Sequence, residues 1–478
     1  MKKYLKIYFI LLSISLSWCD VNWSTIIGQD NTKNEGWYIS KSSYGGFIIG
    51  GMIDYKAAIV KINDQGEEEW QKLYHKGVDD VLKCIVPTSD GGYVAAGYFT
   101  ETEAPYLEKL WLIKINDSGN LLWEQIHGNE NKNSWAENII ESQDGNYVVL
   151  GTTDDDGDNA KALLQKYNYS GNLLWSQTYT SSNYNEGISL IEDTAGDLVF
   201  VGFSGTSHGA YKHFMVKANS DGETIWKKRF GNNTQQSLNS VCEDIDGNYV
   251  ATGYCNNYDD LYIVKRDATS GEKIWDTVID ALDSDMSDTD QGNQIILSNE
   301  GGFYILGSSN VWPNSTGQDD YWLLKIDGSG NLLWDELFGF QWFDYGHSLL
   351  ELDNGEIVLL GTVEYENSYD SDIWIVNINP NEMMSEIIEN KRISLYSKIF
   401  PNPFNPIINI NLSINKNSNV KVNVYDIKGT EIDNLLNDYK VIGEYELSWD
   451  ASIFPSGIYF LKIFTDTHIL TSKMVLAK

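Results

Sequence analysis

Four kinds of short apolar run recur along the chain in a fixed order, and each has the length of a β-strand. The first begins at a glycine and is almost wholly apolar, as in Gly91–Gly97. The second carries a lysine, as in Trp111–Ile115, the third carries a tryptophan, and the fourth partly alternates polar and apolar residues, as in Ser348–Leu352. No long stretch combines helical periodicity with helix caps. The pattern predicts an all-β fold built from four-stranded units.

The third run marks the repeat most clearly, because its tryptophan returns at intervals of roughly fifty residues after an Asn/Asp–Gly turn phrase. A large ring at one place in every unit predicts wedges between neighbouring sheets. The repeated tryptophans are Trp23, Trp70, Trp123, Trp175, Trp226, Trp275 and Trp334. The second run repeats a lysine, and so many copies favour structural pairing with a carboxylate over a functional role. These lysines are Lys61, Lys114, Lys166, Lys217, Lys265 and Lys325.

The inventory of runs predicts a seven-bladed β-propeller over residues 20–382. The glycine-started run begins seven times, but the last unit holds only the first two runs. The N-terminus supplies the other two, at Asn22–Ile27 and Trp37–Ser40, so one blade completed from both chain ends would close the ring. We expect the glycine-started run to be innermost, with its closing glycine where backbones crowd or kink. An open solenoid is the alternative, but it would need caps at both ends.

Composition changes after Glu382. Residues 383–394 are predicted to form a polar linker, and residues 395–478 contain short strands with turn signals that predict a small Ig-like β-sandwich. Five phrases in this segment are distinctive: Phe400–Pro406, Val424–Gly429, Trp449-Asp450, Ser456–Phe460 and Lys473–Lys478.

In these phrases and their order, the segment resembles the C-terminal sorting domain of the type IX (Por) secretion system. The resemblance implies export across an inner and then an outer membrane, with the type IX secretion machinery as the partner of residues 395–478. It implies an extracellular or outer cell-surface location. It also implies that this domain is an address and not the active part. An ordinary Ig-like module without a sorting role is the alternative.

Residues 1–19 combine N-terminal lysines, the apolar stretch Ile7–Leu16 and a short end, which predicts a secretory signal peptide cleaved near Cys19. The stretch is too short to span a membrane, and no later stretch is long enough, so we expect no integral membrane segment after cleavage. A lipoprotein beginning at Cys19 is the alternative, which the bulky Trp18 disfavours.

The net charge of −34 argues against binding to nucleic acid or to anionic membrane surfaces, because both would repel the chain. We expect the acidic surface chiefly to keep a secreted protein soluble. Outside the predicted signal peptide the cysteines are Cys84, Cys242 and Cys255, an odd number without a CxxC motif. The fold therefore is not predicted to depend on a disulfide framework.

Two motifs suggest chemistry, but neither has the context that the chemistry needs. Gly205–Gly209 spells a hydrolase nucleophile elbow, yet it falls in a loop of an all-β unit and lacks the strand-to-helix turn of that motif. The phrase Asp267–Trp275 resembles the tryptophan-docking repeat of PQQ-dependent dehydrogenases and of their non-enzymatic propeller relatives. Those enzymes have more blades and often adjacent cysteines, which this chain lacks. We predict no catalytic residue and no organic cofactor.

Calcium is the one cofactor for which the sequence offers candidates. Asp154, Asp156 and Asp158 place alternate carboxylates around the turn residue Gly157, as calcium loops require. A second acidic loop holds Asp283, Asp285, Asp288 and Asp290. A solvated polar loop is the alternative for both.

These patterns favour a secreted or cell-surface binding module for a glycan or a protein. Its ligand is expected at the variable loops between the first and second runs, with Trp312, Tyr106 and Trp135 as candidate stacking aromatics. The loops concerned are Thr100–Lys109, Thr153–Lys161, Ser204–Lys212 and Ser308–Asp320. The alternative is an extracellular carbohydrate-active hydrolase or lyase. An acidic cluster with an aromatic in the central channel would favour the enzyme, whereas a channel lined by backbone and small residues would favour the binding module.

Overall fold

The computed structural model describes residues 21–380 and 396–478, apart from positions 29–30, 129–130, 155–158, 207–209, 233, 258–259, 281–288, 311–318, 341–342, 366–369, 401–403, 415–417, 442 and 466–468. The described residues form two compact units, Val21–Asn379 and a second unit within Pro380–Lys478. In these parts no helix is long and apolar enough to cross a membrane. The predicted signal peptide lies outside the described residues, and the predicted domain limits stay predictions.

The first unit consists of seven four-stranded antiparallel sheets. The first strand of each sheet contacts the first strand of the next sheet, and the seventh contacts the first, so these strands form a closed inner ring. With strands numbered in chain order, they are β2 (Asn34–Lys41), β6 (Asp80–Pro87), β10 (Ser134–Glu141), β14 (Tyr184–Glu192), β18 (Ser237–Glu243), β22 (Asp290–Leu297) and β26 (Asp344–Glu351). The unit is therefore a seven-bladed propeller, which confirms the predicted fold.

Three further strands extend each blade outward. The second strands are β3 (Phe47–Ile53), β7 (Tyr93–Thr100), β11 (Tyr147–Asp154), β15 (Leu198–Thr206), β19 (Tyr249–Cys255), β23 (Phe303–Ser309) and β27 (Ile357–Glu364). The third strands are β4 (Lys56–Ile62), β8 (Glu108–Ile115), β12 (Ala160–Tyr167), β16 (Ala210–Ala218), β20 (Asp260–Arg266), β24 (Asp320–Ile326) and β28 (Ser371–Ile378). The outermost strands are β5 (Glu68–Tyr74), β9 (Leu121–His127), β13 (Leu173–Tyr179), β17 (Thr224–Phe230), β21 (Lys273–Ile279), β25 (Leu332–Phe338) and β1 (Val21–Ile27).

The blade that closes the ring takes one strand from the N-terminus and three from the other end of the propeller. Strand β1 pairs with β28, so the sheet order is β1-β28-β27-β26. The prediction that each chain end contributes two strands was wrong. The second predicted N-terminal strand, β2, forms a hairpin with β3, which follows it directly in the chain, and it therefore begins the next blade.

The predicted position of the glycine-started runs was also wrong. These runs are the second strands, and they are buried on both faces because neighbouring blades cover them on both sides. The inner ring is made by the partly alternating runs. In β26 and β10, buried residues alternate with half-buried residues over the first part of the strand, as expected where one face packs on the blade and the other borders the channel.

Every inner strand carries a β-bulge at the same place, and the closing glycine of the second strand lies opposite it. A Cβ on Gly151 would lie inside the van der Waals radius of the Trp135 carbonyl oxygen, and a Cβ on Gly202 would collide with the Glu186 carbonyl in the same way. In the first blade this glycine is Gly51, not Gly50, since Gly51 pairs with Gly36. The repeated glycine thus makes room for the bulge, which re-aims one side chain of the inner strand.

The repeated tryptophans pack against glycines in the turns of the next blade. Gly171 adopts a φ of 83°, and a Cβ there would press on the ring of Trp123. The same relation joins Trp23 to Gly66, Trp70 to Gly119, Trp175 to Gly222, Trp226 to Gly271 and Trp275 to Gly330. The tryptophans therefore act as wedges between blades, as predicted, and the turn glycine supplies both the left-handed conformation and the space for the ring.

The repeated lysines pair with carboxylates, which confirms their structural interpretation. Lys114 is 1% exposed and donates to Asp90 at 2.7 Å and to Thr88 at 2.8 Å. Equivalent ion pairs join Lys166 to Asp144, Lys217 to Asp193 and Lys265 to Asp244, while Lys61 pairs with Glu69 on the outermost strand of its blade. Lys325 is the exception, and its ammonium lies 3.8 Å from the centre of the Tyr304 ring.

The second unit contains two antiparallel sheets. One joins β29 (Tyr396–Phe400), β30 (Ile407–Ile414) and β33 (Gly443–Asp450), and the other joins β32 (Glu431–Lys440), β31 (Ser418–Tyr425), β34 (Gly457–Phe464) and β35 (Ile469–Leu476). Both sheets contribute to one apolar core. Phe404, Trp449 and Tyr459, which belong to the distinctive phrases of the sequence, are buried together in this core. These phrases therefore define how the small domain packs.

Candidate functional site

The bulges of the inner ring place seven different side chains around the channel. All seven are half-buried, whereas the residue before each of them is buried. They are Trp37, Lys83, Glu137, Ile188, Asn239, Asn293 and His347. No residue type except asparagine occurs twice at this position, whereas the position before it is glycine or alanine in most blades. The bulge position therefore has the same backbone geometry in every blade, while its residue type varies.

Trp37 is the centre of the first part of the site. The Lys83 ammonium lies 3.0 Å from the centre of the Trp37 ring, which is a cation–π contact. The His347 ring is 4.4 Å away on a neighbouring blade, and the Trp37 indole N–H donates to Glu35 at 3.2 Å. Lys33 completes this group with an ion pair to Glu35 at 2.6 Å. Three inner strands therefore contribute to one aromatic and charged cluster.

Burial changes the protonation of this cluster. It lowers the pKa of Lys83, and the nearby Glu137, Glu35 and Glu186 oppose that shift only in part. Burial, with a smaller effect of the Lys83 charge, lowers the pKa of His347 to about 3. The imidazole is therefore neutral at physiological pH, and it can donate or accept a hydrogen bond.

Two carboxyl groups on neighbouring inner strands form the second part of the site. Burial raises the pKa of Glu137, with Lys83 acting in the opposite direction. Burial and then the negative charge of Glu137 raise the pKa of Glu186 to about 8. Two carboxylates that repel each other in an enclosed channel retain a proton, so the pair presents both a donor and an acceptor.

Aromatic side chains adjoin Glu186 at one end of the channel. Tyr184, Phe203 and Tyr211 are half-buried and contact one another, with ring centres 4.7 to 6.0 Å apart. The Tyr184 hydroxyl lies 3.5 Å from Glu186, and Trp135 donates a hydrogen bond to Glu137. Apolar ring faces and polar carboxyl groups therefore meet at the same place.

The other side of the channel is less charged. Asn239 donates to the Gly292 carbonyl at 3.1 Å, and Asn293 donates to the Gly346 carbonyl at 2.8 Å. These amides link neighbouring blades. The site is therefore one-sided, because its lysine and glutamate side chains belong to the blades that begin with β2, β6, β10 and β14, whereas the two asparagines belong to the blades that begin with β18 and β22.

The predicted calcium site is described only in part. Asp154 ends β11 and accepts a hydrogen bond from the Asn133 amide at 3.1 Å, while Asp156 and Asp158 lie outside the described residues. Asp283, Asp285 and Asp288 also lie outside them, and Asp290 starts the inner strand β22. Among the residues that are described, no group of three His, Cys, Asp or Glu side chains is placed to hold a metal ion. Calcium binding stays a prediction.

The predicted stacking aromatics have different positions. Trp135 lies on inner strand β10 beside the channel, Tyr106 is 58% exposed in a loop, and Trp312 lies outside the described residues. The loops predicted to bind ligand connect second and third strands. The described ends of these loops lie on the face where the inner strands begin, because neighbouring strands are antiparallel. The channel cluster and these loops therefore open toward the same face of the propeller.

Sequence reasoning missed the main channel residues, Glu35, Lys83, Glu137 and Glu186. The sequence pattern predicts that the glycine-started runs line the channel, and these four residues lie on the partly alternating runs instead. One signal was available. The residue before the bulge is glycine or alanine in most blades, as in Gly36 and Ala136, and small residues are typical of places where neighbouring blades approach closely.

Comparison with known families identifies the second unit. Residues 398–477 match the secretion system C-terminal sorting domain, as the distinctive phrases had indicated. The chain is thus a β-propeller protein that carries a type IX sorting domain. This domain implies interaction with the type IX secretion machinery and a cell-surface or extracellular location.

Several solved structures are similar in fold, at low sequence identity. PorZ, a surface component of the type IX secretion system of Porphyromonas gingivalis, is 12% identical with a TM-score of 0.44, and the match covers 92% of this chain and 59% of that one. A Dyadobacter fermentans protein of unknown function is 10% identical with a TM-score of 0.44, over 74% and 98% of the two chains. The polysaccharide lyase Uly1 is 11% identical with a TM-score of 0.46, over 75% and 99%. This chain therefore spans about three-fifths of PorZ. No curated protein matches the chain in sequence.

Proposed function

We propose that this exported propeller binds a glycan at the channel, with the cluster around Trp37, Lys83, Glu137 and Glu186 as its binding site. The observation that carries the proposal is the ring of bulged side chains. The geometry of the bulge repeats in every blade, while aromatic, cationic and acidic groups are gathered on adjacent blades. Packing alone would not require different residue types at equivalent bulge positions.

Sugar recognition suits this chemistry. A pyranose presents C–H groups on its faces and hydroxyl groups around its edge, so it pairs well with an aromatic face bordered by hydrogen-bonding groups. Tyr184, Phe203 and Tyr211 supply the aromatic surface, and Glu186 beside them offers a donor when protonated. Lys83 and the neutral His347 add a donor and a donor–acceptor group further into the channel.

Cleavage of the bound glycan is the second candidate, and one observation favours it. An acidic cluster with adjoining aromatics was the arrangement expected for a carbohydrate-active enzyme, and Glu137 and Glu186 with Trp135 meet that description. Glycoside hydrolysis needs one protonated and one ionised carboxyl group on opposite sides of the bond. Binding requires only the arrangement described above, whereas cleavage further requires that the two carboxyl groups flank a glycosidic bond.

The test uses the full chain with a panel of neutral and uronic polysaccharides. Thermal shift and calorimetry measure binding, and assays for new reducing ends and for unsaturated products measure hydrolysis and elimination. A glycan that binds without turnover supports the binding module, and turnover supports the enzyme. A protein that is folded but neither binds nor cleaves any member of the panel contradicts both proposals.

Glu186→Gln locates the activity in the channel. We expect it to weaken glycan binding by about tenfold, which corresponds to about 1.4 kcal/mol. Glu68→Gln is the matched control, because it makes the same substitution at an exposed position of the outermost strand β5, far from the channel. Equal effects of the two variants would contradict a channel site.

A further inference from the structure

A second concave site lies at the outer edge of the propeller, between the blade that ends with β17 and the blade that contains β20 and β21. It is a groove of about 400 Å³. Four cationic side chains, Lys228, Arg229, Arg266 and Lys273, line it against two acidic ones, Glu272 and Asp276. An excess of positive charge is unusual in a chain with a net charge of −34.

Two residues depart from the repeat here: Arg266, which lines the groove, and His213, which packs against its aromatic lining. Arg266 follows the repeated lysine of its blade, where the other six blades have Ile62, Ile115, Tyr167, Ala218, Ile326 and Ile378. His213 pairs with the last residue of the outermost strand, where most other blades have alanine, leucine or isoleucine. Both polar side chains are buried, at 5% and 1% exposure.

Arg266 and His213 both contact the ring of Phe230. The Arg266 guanidinium lies 3.5 Å from the centre of the Phe230 ring, and His213 stacks on Tyr262 at 4.4 Å. Arg266 donates to the Gly271 carbonyl at 2.7 Å, but its Nε has no hydrogen-bond partner among the described residues. A buried guanidinium that keeps a free donor is costly unless something compensates it.

The rim of the groove keeps its cations in place by ion pairs. Lys228 contacts Glu272 at 2.6 Å, and Lys273 contacts Asp276 at 2.9 Å. Burial lowers the pKa of His213 to about 4, so this imidazole is neutral at physiological pH, and the positive charge comes from the arginines and lysines. Arg266 and Arg229 have no carboxylate partner at ion-pair distance among the described side chains.

We propose that this groove binds the oxyanion of a ligand, a carboxylate, sulfate or phosphate group, between Arg266 and the lysines of the rim. A guanidinium presents its N–H groups in a fixed planar geometry that suits such groups, and Arg266 is held close to the Phe230 ring. Phe230 and Tyr262 offer apolar contact to whatever carries the anion. The site is separate from the channel and does not depend on the function proposed for it.

Binding is tested by calorimetry on the full chain at constant ionic strength. The probes are sulfate, phosphate, glucuronate and glucose, with chloride as the reference salt. We expect saturable binding of the anions and none of neutral glucose. Tighter binding of glucuronate than of inorganic anions assigns the oxyanion to a saccharide, and the reverse assigns it to a free anion. Absence of saturable binding by all three anionic probes would overturn the proposal.

Arg266→Ile connects that binding to the groove, because it restores the residue that four other blades carry at this position. We expect anion affinity to fall by at least about tenfold. Lys41→Gln removes one charge from an exposed pair with Asp353 and should leave affinity unchanged. If Arg266→Ile does not fold, the double variant Lys228→Gln/Lys273→Gln replaces it, with a loss of about tenfold expected. A folded groove variant that binds the anions as wild type does would refute the site.

Discussion

Two lysines of one blade show how differently the propeller uses the same side chain. Lys114 on third strand β8 recurs in five other blades and is paired with Asp90 and Thr88. Although burial alone would raise it, the hydrogen bond from Lys114 lowers the pKa of Asp90 to about 2. Lys83 on inner strand β6 has no counterpart, lies on the Trp37 ring, and has a pKa lowered by burial. The first lysine is stabilised by its surroundings, and the second carries a charge that its surroundings disfavour.

The same difference separates the two sets of equivalent positions to which these lysines belong, the repeated lysines of the third strands and the bulge positions of the inner strands. A side chain that recurs in blade after blade solves a packing problem that every blade shares. The bulge position has one geometry and nearly as many residue types as blades, so its chemistry is not set by the fold. In a repeat protein, a fixed position with varying chemistry is the better indication of function.

Gly202→Ala should have the largest effect, because Gly202 is a repeated structural residue that lies opposite the bulge next to Glu186. The added methyl group would overlap the Glu186 carbonyl, so the bulge must shift and carry the Glu186 side chain with it. We expect a loss of about 3 kcal/mol in the free energy of unfolding, measured by chemical denaturation, together with loss of glycan binding. Gly196→Ala introduces the same change in a turn with open space around the new methyl group, although its φ of 85° adds some strain. Equal losses in both variants would show that crowding at the bulge is not the cause.

Lys114→Met tests the structural role of the lysines that recur on the third strands. The variant leaves the buried Thr88 hydroxyl and the partly exposed Asp90 carboxylate without their ammonium partner. Because the Asp90 side chain remains 56% exposed and can be hydrated, we expect a moderate loss of about 2 kcal/mol in the free energy of unfolding. Lys41→Met, in an exposed ion pair, should change stability by less than about 0.5 kcal/mol. A Lys114→Met protein as stable as wild type would remove the distinction drawn between the two sets of positions.

Lys83→Met tests the functional role of the bulge positions on the inner strands, where the residue type differs between blades. The methionine is similar in length to lysine and can contact the Trp37 ring, and it removes a charge that burial disfavours, so stability should be unchanged or slightly higher. Glycan binding should weaken by about tenfold, as measured by calorimetry with the glycan that the panel identifies. A large loss of stability with unaltered binding would place Lys83 with the structural lysines.

Glu186→Gln should change how stability depends on pH. The pKa of Glu186 is raised from its usual 4.5 to about 8, so between these values the folded state binds more protons than the unfolded state. Folding stability then falls as pH rises through this window, by up to about 1.4 kcal/mol per pH unit. Glutamine does not titrate, so its stability relative to wild type should improve from pH 5 to pH 8. Parallel stability curves for the two proteins would contradict the raised pKa.

The sequence predicted what the blades have in common. The recurrence of Trp123 and Lys114 gave the seven blades and the structural role of both side chains, because each blade must solve the same packing problem with the same residue. The sorting domain was predictable for a similar reason, since Phe404, Trp449 and Tyr459 form its core.

The sequence could not predict the channel cluster. An apolar run buried on both faces fits an innermost strand and a second strand equally well, so the pattern of the run that forms β11 does not show which of the two it is. A bulge adds one residue to the inner strand and so interrupts the alternation of polar and apolar side chains. Alternation therefore does not indicate which residue at the bulge faces the channel. Glu137 therefore looked like one acidic residue among many, although it faces Lys83 and Glu186 from neighbouring strands.

The strand that closes the ring also determines the order in which the propeller can fold. Six blades are formed by residues adjacent in the chain, but β1 must wait for β28, more than three hundred residues later in the sequence. Until that pairing forms, the edge of β28 is open to any other strand, which is a hazard for aggregation. The propeller therefore closes only after residues from both of its ends have come together, so ring closure depends on the longest-range strand pairing of this unit.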